Sequence, residues 1–194
     1  MAPKDRVNTS KIAQPKPLLL VDIDGVVSLF GGAGDGSAPG SRAGLAPPAR
    51  GASDGSFHAI DGIPHFLSST AAGHLLDLSH SFELVWASGW EEKANEHLPH
   101  LLGLPASLPF IRFSQRTAVN ARAPQAHWKL DAITAYVGRR ALAWVDDAFN
   151  PACHRWARAR AAPTLLVSTV PERGLTAREA GTLLRWARQL AARR

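Results

Sequence analysis

The chain has 194 residues, of which 45% are hydrophobic and 20% charged, a composition typical of a globular protein with one sizeable core. Its apolar runs, such as residues 18–21, are far too short to cross a bilayer, and residues 1–17 lack the apolar core of a secretion signal, so a cytoplasmic location and no membrane partner are expected. The single cysteine, Cys153, excludes an internal disulfide and a thiolate metal cluster, and the net charge of +6 is concentrated in residues 139–194, which hold 11 basic and 4 acidic side chains.

Short apolar runs alternate with amphipathic stretches along the chain, as in a parallel sheet wrapped by helices. We expect strands at residues 18–23, 82–87, 110–113, 141–145 and 164–168. Helices are expected to begin at Pro64, after Trp90, at about His127, at Asn150 and at Thr176. These elements predict a doubly wound, Rossmann-like α/β fold, a three-layer sandwich around a five-stranded, mostly parallel sheet.

Local signals set the limits of these helices. Residues with helical spacing form one face of the first helix: Leu67, Ala71, Leu75 and Leu78. The other signals are acids in a first turn (Glu91, Glu92), a left-handed stop (Gly138), a cap followed by proline (Asn150, Pro151) and a capping box (Thr176, Glu179).

Two segments do not fit this alternation. Residues 1–16 are predicted to be a mobile tail, and residues 31–56 a flexible Gly/Pro/Ser-rich insertion with eight Gly and three Pro. The rest of residues 17–194 is predicted to form a single domain, because the insertion is too poor in apolar residues, and residues 114–126 are too short, to fold as a second one. The insertion would be either a flap over the site or an ordinary disordered loop.

The first candidate motif is Asp22-Ile23-Asp24-Gly25, directly after the first strand. Alternation along an extended chain sends Asp22 and Asp24 to the same side, while Gly25 permits a sharp departure of the chain. Two carboxylates at one strand end repel each other, and a hard cation such as Mg²⁺ would neutralise them. Strand-end turn chemistry alone would also explain the pair.

A second acidic pair, Asp146-Asp147, follows the strand at residues 141–145. Adjacent acids after an apolar strand are costly unless they are exposed or bind a metal, although they could also cap the next helix. Carboxyl ends of parallel strands meet at one edge of a sheet, so both acidic pairs are expected there.

Two further positions could bind a phosphate group. Ser88 and Gly89 lie between a strand and a helix start, where a hydroxyl and backbone amides can cradle phosphate oxygens, or where Ser88 could simply cap the helix. Lys129 lies early in its helix, where a cation opposes the macrodipole, which suggests a purpose beyond helix stability. A surface lysine is the ordinary alternative.

The order Asp-x-Asp-Gly, Ser, Lys and Asp-Asp resembles the haloacid dehalogenase (HAD) superfamily of phosphohydrolases. More closely, five segments resemble the HAD domain associated with Swiss-Army-knife RNA repair proteins. They are residues 84–90 (LVWASGW), 94–95 (AN), 102–105 (LGLP), 144–147 (WVDD) and 174–176 (GLT). The likeness covers residues 17–190 apart from the insertion, which departs from the family's compact pattern. It implies a HAD-like fold. Members of this superfamily usually carry an inserted cap domain over the site, but neither residues 31–56 nor residues 114–126 could fold as one, so a fold without a folded cap domain is expected.

The resemblance also implies roles for the motif residues. Asp22 would be the nucleophile and Asp24 the general acid and base, with Mg²⁺ held by Asp22, the backbone carbonyl of Asp24 and Asp147, supported by Asp146. Ser88, Gly89 and Lys129 would bind the transferring phosphate. Together these roles describe a phosphatase that works through an aspartyl-phosphate.

Phosphorylated RNA or DNA ends, or nucleotides, are the expected substrates, because a site without a cap would admit the end of a large molecule. Arg112, Arg116 and Arg122 would suit a nucleic-acid backbone, and Trp90 is a further candidate for contacting the substrate. The basic C-terminal quarter would suit a polyanion, but a solvated arginine-rich helix surface explains it equally well. The alternatives are a small-metabolite phosphatase and a non-catalytic nucleic-acid- or phosphate-binding module.

Overall fold

Short apolar segments pair side by side and form the central sheet. A computed structural model describes residues 15–30, 54–113 and 127–193. The strands in these ranges are β1 (Leu18–Val21), β2 (Ser28–Leu29), β3 (Gly55–Ile60), β4 (Ile63–Ser68), β5 (Glu83–Trp86), β6 (Leu142–Asp146) and β7 (Thr164–Ser168). The helices are α1 (Ser69–Ser79), α2 (Lys93–Leu102), α3 (Leu130–Val137), α4 (Pro151–Ala159) and α5 (Ala177–Ala192).

The central sheet has the strand order β5-β1-β6-β7, and all its pairings are parallel. Because side chains alternate along a strand, β1 sends Leu19 and Val21 to one face and Leu18 and Leu20 to the other. Residues of α1, α2 and α5 pack against the first face, and residues of α3 and α4 pack against the second. The predicted three-layer α/β sandwich is therefore confirmed.

Three of the predicted helix-end signals are confirmed. Asn150 accepts hydrogen bonds from the backbone N–H groups of Ala152 and Cys153 and caps α4. Thr176 and Glu179 form the capping box of α5. Gly138 ends α3 as predicted, although its φ of 50° and ψ of −124° are not the left-handed helical conformation expected for it. The starts of α4 and α5 are predictable because their caps satisfy helix N–H groups locally. The end of α3 is predictable because it needs only the backbone freedom of glycine.

The predicted start of the first helix at Pro64 is wrong. Residues 63–68 instead form β4, which pairs antiparallel with β3, and α1 begins after Ser68, whose side chain accepts a hydrogen bond from the N–H of Ala71. The two strands are joined by Asp61 and Gly62, which have φ values of 52° and 77°. An Asp-Gly pair with two positive φ values is a preferred two-residue hairpin turn, and it outweighs the helix-start signal of Pro64.

The second predicted helix also begins later than expected. Glu91 has a φ of 48° and stands outside α2, which begins at Lys93. Its carboxylate accepts a hydrogen bond of 2.7 Å from the backbone N–H of Phe113. The side chain therefore joins two loops and does not lie in the first turn of α2.

The predicted strand at residues 110–113, third of the five in chain order, is reduced to a single bridge between Trp86 and Phe110. The bridge has two hydrogen bonds, from Trp86 N–H to the Pro109 carbonyl and from Ile111 N–H to the Trp86 carbonyl. Pro109 has no N–H to donate, and the N–H of Phe113 is taken by Glu91, so the pairing does not extend. Over the described residues, the parallel sheet thus has four strands.

A second sheet, with the order β2-β4-β3, stands beside the first. Gly55 and Ser56, predicted to belong to the flexible insertion, are the first two residues of β3. Residues 31–53 and most of the predicted tail, residues 1–14, lie outside the described residues, so the domain limits stay predictions. None of the helices described here combines the length and apolar character needed to cross a membrane.

Candidate active site

The candidate site lies at the carboxyl edge of the central sheet. Asp22 follows β1, Ser88 follows β5 by two residues, and Asp146 and Asp147 stand at the end of β6. Strand β1 is flanked by β5 and β6, so the chain order reverses at β1. Open α/β sheets form their ligand-binding crevices at such a reversal, and the structure places these predicted site residues beside it.

Lys129 joins the ends of two strands. Its Nζ atom lies 2.7 Å from Asp22 Oδ2 and 2.7 Å from Asp146 Oδ2. Lys129 is 3% exposed, so the alternative of a surface lysine is excluded. Because Lys129 immediately precedes α3, the start of that helix fixes the ammonium group between the two carboxylates.

Asp146 is held by further donors. The indole N–H of Trp144 donates to its Oδ2 atom at 3.1 Å, and the backbone N–H of Ala148 donates to its Oδ1 atom at 2.9 Å. With Lys129, these groups give both carboxylate oxygens a partner. Trp144 lies two residues earlier on β6, on the same side of the strand, and is completely buried. Asp146 is therefore built to hold Lys129 in place.

Three carboxylates converge at this edge. One oxygen from each of Asp22, Asp146 and Asp147 lies within 4.8 Å of the others, a spacing compatible with a shared metal ion. Gly25 makes the approach of Asp147 possible, because a Cβ atom at Gly25 would lie 2.5 Å from Asp147 Oδ2. Gly25 also has a φ of 71°, which most other residues adopt only with strain.

The electrostatics of the cluster favour binding of a cation. Burial raises the pKa of Asp22 to about 7, against the opposing effect of Lys129. Burial and the charge of Asp146 also raise the pKa of Asp147. Burial lowers the pKa of Lys129, but the charges of Asp22 and Asp146 outweigh it and hold that pKa above its ordinary value. One ammonium ion therefore faces three carboxyl groups, and the hard oxygen donors and excess negative charge fit Mg²⁺.

Asp24 points toward a different partner. Its Oδ2 atom accepts a hydrogen bond of 3.0 Å from the indole N–H of Trp90. Its carboxylate is not part of the group formed by Asp22, Asp146 and Asp147. The predicted contact of Asp24 with a metal uses the backbone carbonyl instead, and it stays a prediction. The two acids of the Asp22-x-Asp24 motif thus have different surroundings, although they leave the same strand.

The phosphate loop, residues 87–92 between β5 and α2, contains Ser88 and Gly89, which are predicted to bind phosphate. Ser88 is buried, and its hydroxyl accepts a long hydrogen bond of 3.4 Å from the N–H of Trp90. Gly89 lies beside the ring of Trp128, where an added Cβ atom would stand 3.7 Å from it. Trp128 is 39% exposed, and its ring centroid is 5.3 Å from Lys129 Nζ. An exposed indole therefore borders the loop and the buried ammonium group.

Of the three arginines predicted to bind the substrate, only Arg112 lies among the described residues. The Arg112 side chain is 67% exposed, forms an ion pair with Glu92 at 3.2 Å and lies over the ring of Phe110 at 5.0 Å. It is also 3.9 Å from Glu91. Its charge is thus shared with two acids at the surface. Arg116 and Arg122 lie outside the described residues.

Several residues at this edge were not identified from the sequence. His65 on β4 packs edge to face against Trp90, with ring centroids 4.8 Å apart, and Ser28 on β2 hydrogen-bonds to His65 Nδ1 at 3.0 Å. The Asp61-Gly62 turn was the available signal for the hairpin that carries His65. The bond from Trp144 to Asp146 has a weaker signal, namely that residues i and i+2 share one side of a strand.

Comparison with known families gives a match over most of the chain. Residues 18–180 match the family described as the HAD domain in Swiss Army Knife RNA repair proteins. The match includes β1, the hairpin, both acidic pairs and the start of α5. A comparison with curated proteins gives no significant match. On the strength of the family match, the chain belongs to the HAD domains of Swiss Army Knife RNA repair proteins.

Proposed function

We propose that the protein is a Mg²⁺-dependent phosphohydrolase that transfers the phosphate group of its substrate to Asp22 and then to water. Membership of the HAD family indicates hydrolysis of phosphate esters. The observation that carries the more specific proposal is the convergence of Asp22, Asp146 and Asp147, the first two of which pair with Lys129. A buried ammonium group beside a buried carboxylate can hold a nucleophile in place and also attract the charge of a phosphate.

In the first step, a carboxylate oxygen of Asp22 attacks phosphorus and the ester P–O bond breaks. The bonding electrons leave with the alcohol oxygen, which takes a proton from Asp24. Asp22 is well oriented for attack, because Ile23 N–H donates to its Oδ1 atom at 2.9 Å and Lys129 contacts its Oδ2 atom. Ser88, Gly89 and Lys129 would bind the phosphate oxygens.

In the second step, Asp24, now a carboxylate, removes a proton from water. The resulting hydroxide attacks phosphorus, the bond to Asp22 breaks, and inorganic phosphate is released. Asp22 returns to its carboxylate form and Asp24 to its protonated form. Placing two acids on one short motif lets the nucleophile and the proton carrier face the same phosphate. Their different partners, Lys129 for Asp22 and Trp90 for Asp24, support different roles.

Asp22 and Asp147 would hold Mg²⁺, with Asp146 fixing the neighbouring ammonium group and the backbone carbonyl of Asp24 as a further ligand. When bound, the ion would offset the charge of the carboxylates and of the phosphate oxygens. The close approach of Asp147 to Gly25 supports this assignment, since a side chain at position 25 would displace the carboxylate.

The proposed substrate is a phosphorylated nucleic-acid end or a nucleotide, preferably of RNA. Membership of a family described by its place in RNA repair proteins supports this choice. Trp128 supports it independently, because an exposed indole beside the phosphate loop can stack on a nucleobase. The 11 basic residues of the region 139–194 would add attraction for a polyanion.

The test is a Mg²⁺-dependent phosphatase screen over 3′- and 5′-phosphorylated oligonucleotides, nucleotides and sugar phosphates. We expect release of phosphate from nucleic-acid ends or nucleotides, and its loss in the Asp22→Asn variant. A preference for sugar phosphates would favour a small-metabolite phosphatase. Binding of oligonucleotides without release of phosphate from any substrate would favour a binding module and contradict the proposal.

A further inference from the structure

We infer that Trp90 is a positioning residue that orients the carboxyl group of Asp24 for proton transfer, and that His65 and Ser28 hold Trp90 in that orientation. The inference rests on the proposed function, in which Asp24 gives a proton to the leaving group. It assigns Trp90 a different role from the substrate contact predicted from the sequence.

The central observation is the hydrogen bond of 3.0 Å from Trp90 Nε1 to Asp24 Oδ2. It links the loop after β1 to the loop after β5, which are 66 residues apart in the chain. The bond engages one carboxyl oxygen, Oδ2, and proton transfer requires only the other. Trp90 can therefore set the direction of the acid without occupying the oxygen that faces the leaving group.

An indole is suited to this task because its N–H only donates. Unlike a histidine or a second carboxyl group, it does not exchange a proton with Asp24 at ordinary pH. The indole thus orients the acid without competing for the proton that the reaction consumes. Lys129 contacts Asp22 in a different way, because it brings a full positive charge to the nucleophile.

The Trp90 ring is itself supported from the second sheet. It packs partly against the core, and the edge-to-face contact with His65 has ring centroids 4.8 Å apart and an interplanar angle of 71°. The Ser28 hydroxyl is 3.0 Å from His65 Nδ1. Ser28 lies on β2 and His65 on β4, and these strands are hydrogen-bonded to each other. The β2-β4 pair therefore braces the ring that holds Asp24.

The half-buried setting of Trp90 also distinguishes it from Trp128. Trp90 has its N–H committed to Asp24 and its ring in contact with His65, whereas 39% of Trp128 is exposed beside Gly89. Of these two tryptophans, Trp128 is the better platform for stacking. Trp90 is better placed to act through Asp24.

The test uses the Trp90→Phe variant, which keeps an aromatic ring but lacks the indole N–H. Its turnover is measured with p-nitrophenyl phosphate, whose leaving group needs little protonation, and with an alkyl phosphate, whose leaving alkoxide requires a proton. We expect kcat/KM for the alkyl phosphate to fall about 10- to 100-fold, a part of what general acid catalysis supplies, while kcat/KM for the aryl phosphate changes less than about threefold. The constant kcat/KM is compared because it reports the steps up to departure of the leaving group and leaves out the second step, in which Asp24 acts on water for both substrates. The Asp24→Asn variant should show the same pattern more strongly.

The ratio of the two kcat/KM values is the decisive quantity, because it does not depend on the fraction of protein that is folded. The matched control is Trp156→Phe, which removes an indole N–H bond of 2.8 Å to Thr134 and should leave the ratio unchanged. His65→Phe keeps an aromatic contact but loses the bond to Ser28, and should shift the ratio in the same direction as Trp90→Phe, by a smaller factor.

The outcomes separate the inference from the proposed function. If the wild-type protein hydrolyses both substrates and Trp90→Phe lowers both kcat/KM values by the same factor, Trp90 has only a structural role and the inference is overturned alone. If the wild-type protein hydrolyses neither substrate with Mg²⁺ present, the proposed function fails and the inference fails with it. A changed ratio in Trp90→Phe with an unchanged ratio in Trp156→Phe supports both.

Discussion

Lys129 and Asp146 form a buried ion pair at 2.7 Å that ties the start of α3 to the end of β6, with Asp22 at the same distance on the other side of the ammonium group. The pair is completed by Trp144 and Ala148, which donate to Asp146. This arrangement places one buried cation between two buried acids, so it affects both the stability of the fold and the reactivity of Asp22.

Replacing Lys129 by Met should strongly destabilise the fold, because two buried carboxyl groups would lose their shared cation. Breaking a buried pair in this way costs about 3–5 kcal/mol, measured as the free energy of unfolding in urea. The loss should be smaller at about pH 5 than at about pH 8, because burial raises the pKa of Asp22 to about 7 and a protonated Asp22 needs no cationic partner. Lys93→Met is the control, because Lys93 and Asp61 pair at the surface and little change is expected. Equal stability of Lys129→Met and the wild type would contradict the buried-pair geometry.

Replacing Gly25 by Ala should weaken Mg²⁺ binding and turnover together. The added Cβ would meet the carboxylate of Asp147 at 2.5 Å, and the backbone φ of 71° adds about 1–2 kcal/mol of strain. Gly103→Ala is the matched control, because Gly103 has a φ of 65° but no heavy atom within 4 Å of the added Cβ. Both variants should lose stability, and only Gly25→Ala should require more Mg²⁺ for half-maximal activity. The same Mg²⁺ requirement in both would separate Asp147 from the metal site.

Mg²⁺ should stabilise the protein more strongly as pH rises toward 7. Burial raises the pKa of Asp22 from 3.8 to about 7, so the folded, metal-free protein keeps a proton that the unfolded chain has lost. The contribution of Asp22 to the free energy of unfolding therefore decreases as pH rises from 3.8 to about 7. A cation that displaces the proton gains affinity over the same pH range. The measurement is the increase in Tm on adding Mg²⁺, compared at about pH 5.5 and about pH 8.

The Asp22→Asn variant is the control for this effect. Its increase in Tm with Mg²⁺ should be smaller and less dependent on pH, with the remaining dependence caused by Asp147, whose pKa is also raised by burial. An increase that is the same at both pH values in the wild type would show that Asp22 does not exchange a proton for the cation.

Replacing Trp128 by Ala should reduce activity on oligonucleotides more than on aryl phosphates. Loss of one base-stacking contact costs about 1–3 kcal/mol, which corresponds to a fall in kcat/KM of about 5- to 150-fold for a phosphorylated oligonucleotide. The value for p-nitrophenyl phosphate should change less than about threefold, since that substrate has no nucleobase. Trp186→Ala is the control for loss of an indole ring, because Trp186 stacks on Phe82 in the core and is not expected to contact a nucleobase. A proportional loss on both substrates in Trp128→Ala would argue against stacking.

The sequence predicts four of the parallel strands and the meeting of the two strand-end acidic pairs at one edge of the sheet, because both depend on local patterns. The apolar run before Asp22 and the run before Asp146 are each followed by acids, and parallel pairing brings such strand ends together. The capping signals of α4 and α5 were equally local. Each of these features follows from a few neighbouring residues and one rule of topology.

The features that the sequence did not predict depend on contacts between distant segments. Residue 64 lies in a strand because the Asp61-Gly62 turn and the partner strand β3 outweigh a helix-start signal. The segment after Pro109 adds a single bridge to the sheet because Glu91 takes the N–H of Phe113. The bond from Trp90 to Asp24 joins two loops whose approach is set by the whole sheet. No local pattern contains that information.

The most direct test of the proposed mechanism is to locate the phosphoryl group during turnover. Protein mixed with a phosphorylated substrate and Mg²⁺, quenched in acid and digested, is examined by mass spectrometry for a phosphorylated peptide. We predict an acid-stable, base-labile phosphoryl group on Asp22, absent without Mg²⁺ and absent in Asp22→Asn. A phosphoryl group on another residue, or release of phosphate by Asp22→Asn at the wild-type rate, would contradict the account.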